Sequence, residues 1–207
     1  MQRYFITGIG TEVGKTVVAA IITEALQADY WKPIQAGDLD YSDTHKVQNY
    51  ISNTKTTFHK NAFALNTPMS PHAAAVIDNV LISIKDIKAP ISENENLVVE
   101  GAGGLLVPIN DTETIIDLIK PEDKVILVSR HYLGSINHTL LSAELLKSRG
   151  IDNVSILFNG DEHPTTEDII EKMTQLPILG RINQEENIDK SMVLKYANAI
   201  KSNLINW

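Results

Sequence analysis

Short runs of consecutive apolar residues alternate along the chain with longer stretches whose apolar positions recur at helical spacing. The runs predict strands at Arg3–Thr7, Tyr30–Gln35, Asn96–Glu100, Lys124–Ser129, Val154–Asn159 and Ile178–Arg181. Most are apolar along their whole length, the pattern of strands covered on both faces. Helices are predicted at Lys15–Gln27, Thr44–Ile51, Pro71–Asp78, Gly134–Ser148, Thr166–Gln175 and Asp189–Asn203. This alternation predicts an α/β fold with one doubly wound, mainly parallel sheet and helices on both faces. Between Ala36 and Glu95 it lapses into polar, acidic and Pro-containing segments with no clear central strand. That stretch reads as an insertion of loops and helices over the carboxyl ends of the strands, where such sheets bind ligands. No repeat or Pro/Ser-rich linker divides the chain, so residues 1–207 are expected to form one domain.

Composition removes several classes of chemistry. Lys and Arg number 18 against 26 Asp and Glu, a net charge of −8, which disfavours nucleic acid and anionic membranes as partners. The chain has no cysteine, so disulfides, thiolate metal sites and thiol nucleophiles are excluded. Its histidines show no zinc-type spacing, and no Gly-x-Ser-x-Gly elbow marks a serine hydrolase. The longest apolar run, Val17 to Ile22, falls far short of the roughly 20 residues of a membrane span. The opening MQRYFITG carries no signal-peptide pattern, and the expected location is cytoplasmic.

The sharpest motif is GIGTEVGKT, Gly8 to Thr16, placed directly after the first strand and before the first helix. Glycine-rich backbone can wrap a phosphate chain with N–H groups, and the helix N-terminus adds a positive dipole end. In this pattern Lys15 reaches the β- and γ-phosphates and the Thr16 hydroxyl ligates Mg²⁺. Five residues separate Gly8 from Gly14, one more than in the usual phosphate loop. The motif makes the predicted sheet one of P-loop NTPase type.

Other clusters fall at predicted strand ends on the same side. Lys32, in WKPIQAG, could meet a phosphate or anionic intermediate, or simply be solvated. Asp38, Asp40 and Asp43 follow; Asp43 is the preferred metal-site acid, although Ser42 or Asp43 could equally cap the next helix. Glu100 ends an apolar strand and runs into Gly101, Gly103 and Gly104, the place of a metal-linked carboxylate beside a phosphate loop. In LGSINH, Leu133 to His138, Ser135 reads as an N-cap or as part of an anion-binding helix end. Asn159 closes the strand VSILFN, where it could face a base or satisfy a turn.

Together GIGTEVGKT, KPIQAG, MSPH, VEGAGGLLVP, LGSINH and the strand ending in Asn159 resemble the dethiobiotin synthetases, in order and spacing, over nearly the whole chain. The resemblance implies an ATP- and Mg²⁺-dependent ligase that closes the ureido ring of dethiobiotin from 7,8-diaminopelargonate and CO₂. It further implies a homodimer with active sites near the interface. Carried over by motif, Gly10, Glu12, Val13, Gly14, Lys15, Thr16 and Val17 hold ATP, with Asn159 and Asn183 at the base. Thr16, Asp43 and Glu100 correspond to the metal site. Lys15, Lys32 and Thr11 correspond to the catalytic positions, and Thr11, Lys32, Gln35, Ala36, Gly103 and Asn137 to the substrate site. Some members carry a hydroxyl residue where Ala36 stands, which leaves backbone groups or Gln35 to make that contact here. The competing expectation is a ParA/MinD-like switch ATPase acting through partner binding. Such proteins usually carry an extra Lys early in the loop, where this chain has Gly10 and Thr11.

Overall fold

The apolar runs do assemble into the expected sheet. A computed structural model describes all 207 residues. Seven strands lie in the order β4-β2-β6-β1-β7-β8-β9, and every pairing is parallel. They are β1 (Gln2–Gly8), β2 (Asp29–Trp31), β4 (Phe58–His59), β6 (Asn96–Glu100), β7 (Lys124–Arg130), β8 (Val154–Asn159) and β9 (Ile178–Ile182). Consecutive residues such as Val98 and Val99, or Ile126 and Leu127, are all 0% exposed, so layers cover both faces. Helix α1 (Lys15–Leu26) packs on α6 (Lys190–Asn206), and α4 (Ser135–Ser148) packs on α5 (Pro164–Thr174). No helix is long and apolar enough to cross a membrane.

Strand β1 is flanked by β6 and β7, both of which follow it in sequence, so the winding direction reverses there. A ligand crevice forms beyond the carboxyl ends of strands at such a switch point. The phosphate loop leaves β1 into that crevice, and Glu100 ends β6 beside it.

The predicted strand Tyr30–Gln35 is broken in two. Pro33 has no N–H for the ladder, and its carbonyl accepts from the N–H groups of Ala62 and Phe63. Beyond it β3 (Ile34–Ala36) leaves the main sheet and pairs with β5 (Phe63–Leu65) in a separate two-stranded ribbon. The Ala36–Glu95 stretch supplies no central strand, as expected, but it does supply β5 and the edge strand β4. Elements of two and three residues are too short to show a period. The stretch also holds the predicted helices α2 (Asp43–Tyr50) and α3 (Pro71–Ile77). Ser42 is the N-cap of α2, which leaves the Asp43 side chain free for other partners. At α4 the N-cap is Gly134, and Ser135 is the buried first helical residue rather than the cap.

Candidate active site

The phosphate loop is held open by backbone geometry that its sequence dictates. Gly14 adopts φ +95°, and a Cβ there would lie 2.2 Å from Asn159 Nδ2, so no other residue fits without displacing that side chain. Asn159 donates through Nδ2 to the Val13 carbonyl at 2.8 Å, and Arg130 donates through Nη1 to the Glu12 carbonyl at 3.0 Å. The strand ends of β8 and β7 thus brace the loop from outside. Lys15 opens α1 and curls back to donate to the Gly10 carbonyl at 2.8 Å. Burial lowers the Lys15 pKa to about 8, with the charge of nearby Lys32 acting in the same direction and Glu100 opposing it.

Beside the loop two carboxylates converge on one buried ammonium. Lys32 Nζ lies 2.9 Å from Glu100 Oε1 and 2.9 Å from Asp43 Oδ2. Burial works against the charge on Lys32, but the two carboxylates outweigh it and its pKa is raised. Burial likewise opposes ionisation of Asp43, yet Lys32, then Lys46, holds its carboxyl below the usual range. Glu100 Oε1 also accepts from the Thr16 hydroxyl at 2.9 Å, and Oε2 accepts from the Tyr30 hydroxyl at 2.7 Å. Lys46 reaches Asp43 Oδ1 from one turn along α2, at 3.1 Å. No group of three or more His, Asp or Glu side chains is arranged to hold a metal ion by itself. Two carboxylates and the Thr16 hydroxyl are nevertheless an all-oxygen donor set. That set suits Mg²⁺, which takes few protein ligands and completes its shell from substrate phosphates and water.

These groups line a cavity of about 710 Å³, within the range of small-molecule sites. Of the residues expected from sequence, it gathers Thr11, Glu12, Gly14, Lys15, Thr16, Lys32, Gln35, Ala36, Asp43, Glu100 and Gly103. Gly103 sits against the loop, since a Cβ there would come 3.5 Å from Thr11 Oγ1. Gln35 lines the cavity, but both ends of its amide are engaged. Nε2 donates to the Gly37 carbonyl, and Oε1 accepts the Asp43 N–H that opens α2. These bonds also seat the helix that carries Asp43.

Other expected residues lie outside the cavity. Gly10, Val13 and Val17 belong to the loop and to α1 behind it. Asn159 pairs in register with Ile182, the residue before exposed Asn183, so the two asparagines neighbour one another beyond β8 and β9. Asn137 is exposed on the first turn of α4, away from the cavity.

Sequence reasoning missed Tyr30, Lys46 and Pro68; Met69, Ser70 and Pro71 of the MSPH motif line the cavity with Pro68 as one wall. Tyr30 stands two residues before Lys32 within the predicted strand Tyr30–Gln35, and Lys46 three after Asp43 on a helix, spacings that could have exposed both. The wall is fixed by contacts remote in sequence. Pro68 lies so close to Gly37 that a Cβ there would be 2.4 Å from Pro68 Cβ, and Asp78 accepts hydrogen bonds from Thr67 Oγ1 and the Asn66 N–H.

Comparison with known proteins places this geometry. A family model described as an AAA domain matches residues 2–191. The chain is 64% identical over 203 residues to the ATP-dependent dethiobiotin synthetase BioD of Christiangramia forsetii, covering 98% of each. To the enzyme of the same name from Cytophaga hutchinsonii it is 48% identical, covering 95% of this chain and 96% of the relative. Among solved structures, the MinC:MinD cell division complex of Aquifex aeolicus matches with a TM-score of 0.61 at 16% identity, covering 100% of this chain and 97% of that one. A ParA family ATPase from Chlorobium tepidum gives 0.60 at 16% identity, covering 95% and 98%. At that identity the likeness is one of fold, and it confirms the doubly wound P-loop architecture. The switch-ATPase alternative thus keeps the fold, while the sequence relatives decide the activity. The phosphate loop, the acidic pair beside it and the match over almost the full length of the relatives make this chain a member of the ATP-dependent dethiobiotin synthetase family, a ligase of biotin biosynthesis.

Proposed function

We propose that the chain closes the ureido ring of dethiobiotin from 7,8-diaminopelargonate, CO₂ and ATP, with Mg²⁺ bound by Thr16, Asp43 and Glu100. The observation that carries this reading is Lys32, held between the two carboxylates and beside the phosphate loop. One substrate amine, unprotonated, attacks CO₂; the new N–C bond gives a carbamate and the nitrogen loses a proton. A carbamate oxygen attacks the γ-phosphorus in line, the bond to the β,γ-bridging oxygen breaks, and ADP leaves. The second amine, also unprotonated, then attacks the carbamate carbon, the ring closes as that nitrogen gives up a proton, and phosphate departs with the oxygen it received. Every nucleophile comes from the substrates, in keeping with a chain that has no cysteine.

The protein's part is position and charge. Orientation of both amines beside the γ-phosphate draws on the about 7–11 kcal/mol available from effective molarity. When bound, Mg²⁺ would neutralise phosphate charge and orient the triphosphate. Lys32 would exchange its carboxylates for phosphoryl oxygens as the nucleotide arrives, and Lys15 would leave the Gly10 carbonyl for the β- and γ-phosphates. Thr11 and Gly103 would line the carbamate position, with Ala36 and Gln35 on the facing wall. Asn159 and Asn183 would bound the base.

The family's homodimer is part of the proposal. An apolar groove of about 600 Å³ runs beside the phosphate loop along α4, lined in part by Leu105, Leu106, Val107 and Leu141. Leu106, Leu133 and Leu141 are 59%, 104% and 61% exposed, an apolar surface that a second copy would cover. Asn137 lies on the same helix face-end, where it would meet the partner's substrate carboxylate rather than its own cavity.

Phosphate release from ATP should require both the diamine and bicarbonate. Release that persists when the diamine is omitted would favour a switch ATPase. Lys15→Met and Lys32→Met should each lower turnover by about 100-fold or more. Lys32→Met also leaves the buried Glu100 carboxylate without its cation, while Asp43 keeps Lys46, and its urea midpoint should fall by the equivalent of about 3–5 kcal/mol. Turnover near wild type in either variant would remove that lysine from the chemistry.

A pH effect follows from Lys15. With its pKa near 8, about half the free enzyme carries a neutral Lys15 at pH 8. The bound triphosphate favours the ammonium, so ATP binding should take up protons at pH 8 and almost none at pH 6.5. Calorimetry in two buffers of different ionisation heat measures this. Equal uptake at both pH values, or uptake that survives Lys15→Met, would contradict it.

A further inference from the structure

Glu100 receives a third donor that belongs to neither the phosphate loop nor the lysines. Tyr30 is fully buried on β2, two residues before Lys32, which follows directly on the strand's last residue, Trp31. In the β2–β6 register Tyr30 lies opposite Val98, two residues before Glu100. Its ring packs against Phe58 of the edge strand β4, with centroids 5.9 Å apart.

The Tyr30 hydroxyl donates to Glu100 Oε2 at 2.7 Å, whereas Thr16 and Lys32 both donate to Oε1 at 2.9 Å. The two oxygens of one carboxylate are thereby given different tasks. Oε2 is tied back into the core, and Oε1 is turned toward Thr16 and the cavity. Burial, then the charge of Glu100, pushes the Tyr30 pKa well above its usual value, so the phenol remains a donor across the working pH range.

We propose that Tyr30 is a positioning residue for the metal acid: its phenol holds Glu100 Oε2 and so aims Oε1 at the cation position beside Thr16. The proposal rests on the reading of Glu100 as a Mg²⁺ acceptor. Without the hydroxyl, Oε2 is a buried acceptor with no donor, and the carboxylate is free to turn about its last torsion. Outer partners that orient a metal ligand are commonly worth a factor of 10–100 in affinity or activity.

The test is direct Mg²⁺ titration of the ADP complex by calorimetry, on the wild type, Tyr30→Phe, Glu100→Gln and the double variant. Tyr30→Phe removes a single oxygen and keeps the ring against Phe58. It should weaken Mg²⁺ by about tenfold while leaving metal-free ADP affinity unchanged. The loss should vanish in the Glu100→Gln background, as expected when two residues act through one another. If Glu100→Gln itself leaves Mg²⁺ affinity unchanged, the metal-site reading fails and the proposal with it. If Glu100→Gln weakens Mg²⁺ but Tyr30→Phe binds it within twofold of wild type, the role of Tyr30 alone is overturned, even where thermal melting shows a loss of stability. An equal loss from Tyr30→Phe in both backgrounds overturns it as well.

Discussion

The site depends on one buried ion cluster, Lys32 between Glu100 and Asp43. Charges removed from water are tolerated only when paired and hydrogen-bonded, and this cluster meets that condition from four elements. Lys32 leaves the end of β2, Glu100 ends β6, Asp43 opens α2, and Thr16 stands in the first turn of α1. Each must be placed to within a few tenths of an ångström for the 2.9 Å contacts to exist together. The break at Pro33 and the seating of α2 by Gln35 are the means by which the chain reaches that arrangement. The same arrangement defines what the site can accept. Two carboxylates and a hydroxyl form an all-oxygen set that suits a hard cation, and the ammonium between them suits an anion such as a phosphoryl group.

The phosphate loop is built on the complementary principle. Its walls are backbone, and its charge comes from a lysine whose burial leaves it only weakly basic. Asn159 and Arg130 hold the loop by its own carbonyls. Strands β7 and β8 therefore fix the cradle that β1 presents, while β2 and β6 set Lys32 and Glu100 beside it. The parallel sheet serves as a ruler on which both halves of the site are set.

Much of this is legible in the sequence, and the limits have physical causes. Fully apolar runs such as NLVVE and VSILFN mark strands buried on both sides, and β6 and β8 have the predicted bounds. Glycine, lysine and threonine at fixed offsets after a strand disclose the phosphate loop. Glu100 was readable because an acid that ends an apolar strand beside a phosphate loop and runs into glycines stands where a metal-linked carboxylate is usual. Strands β4 and β5 were not, since two or three residues show no period and their pairing is decided by contacts far along the chain. The reading of Tyr30–Gln35 as one strand missed that Pro33 cannot join a ladder. Ser135 looked like a cap because serine usually is one, whereas here Gly134 takes the left-handed turn and Ser135 is buried behind it. Gln35 lines the cavity as expected, and its amide also holds Gly37 and the N–H of Asp43, a tie that only the folded chain discloses.

The claim most open to direct test is that Lys32 holds together the two acids that a divalent ion will occupy. A crystal of the ADP complex grown with Mn²⁺ and measured at the manganese edge locates that ion from its anomalous signal. The account predicts one peak bounded by Thr16 Oγ1, Glu100 Oε1 and the Asp43 carboxylate, with Lys32 Nζ withdrawn from at least one carboxylate and turned toward the phosphates. A peak elsewhere, with Lys32 still bridging both acids, would contradict it.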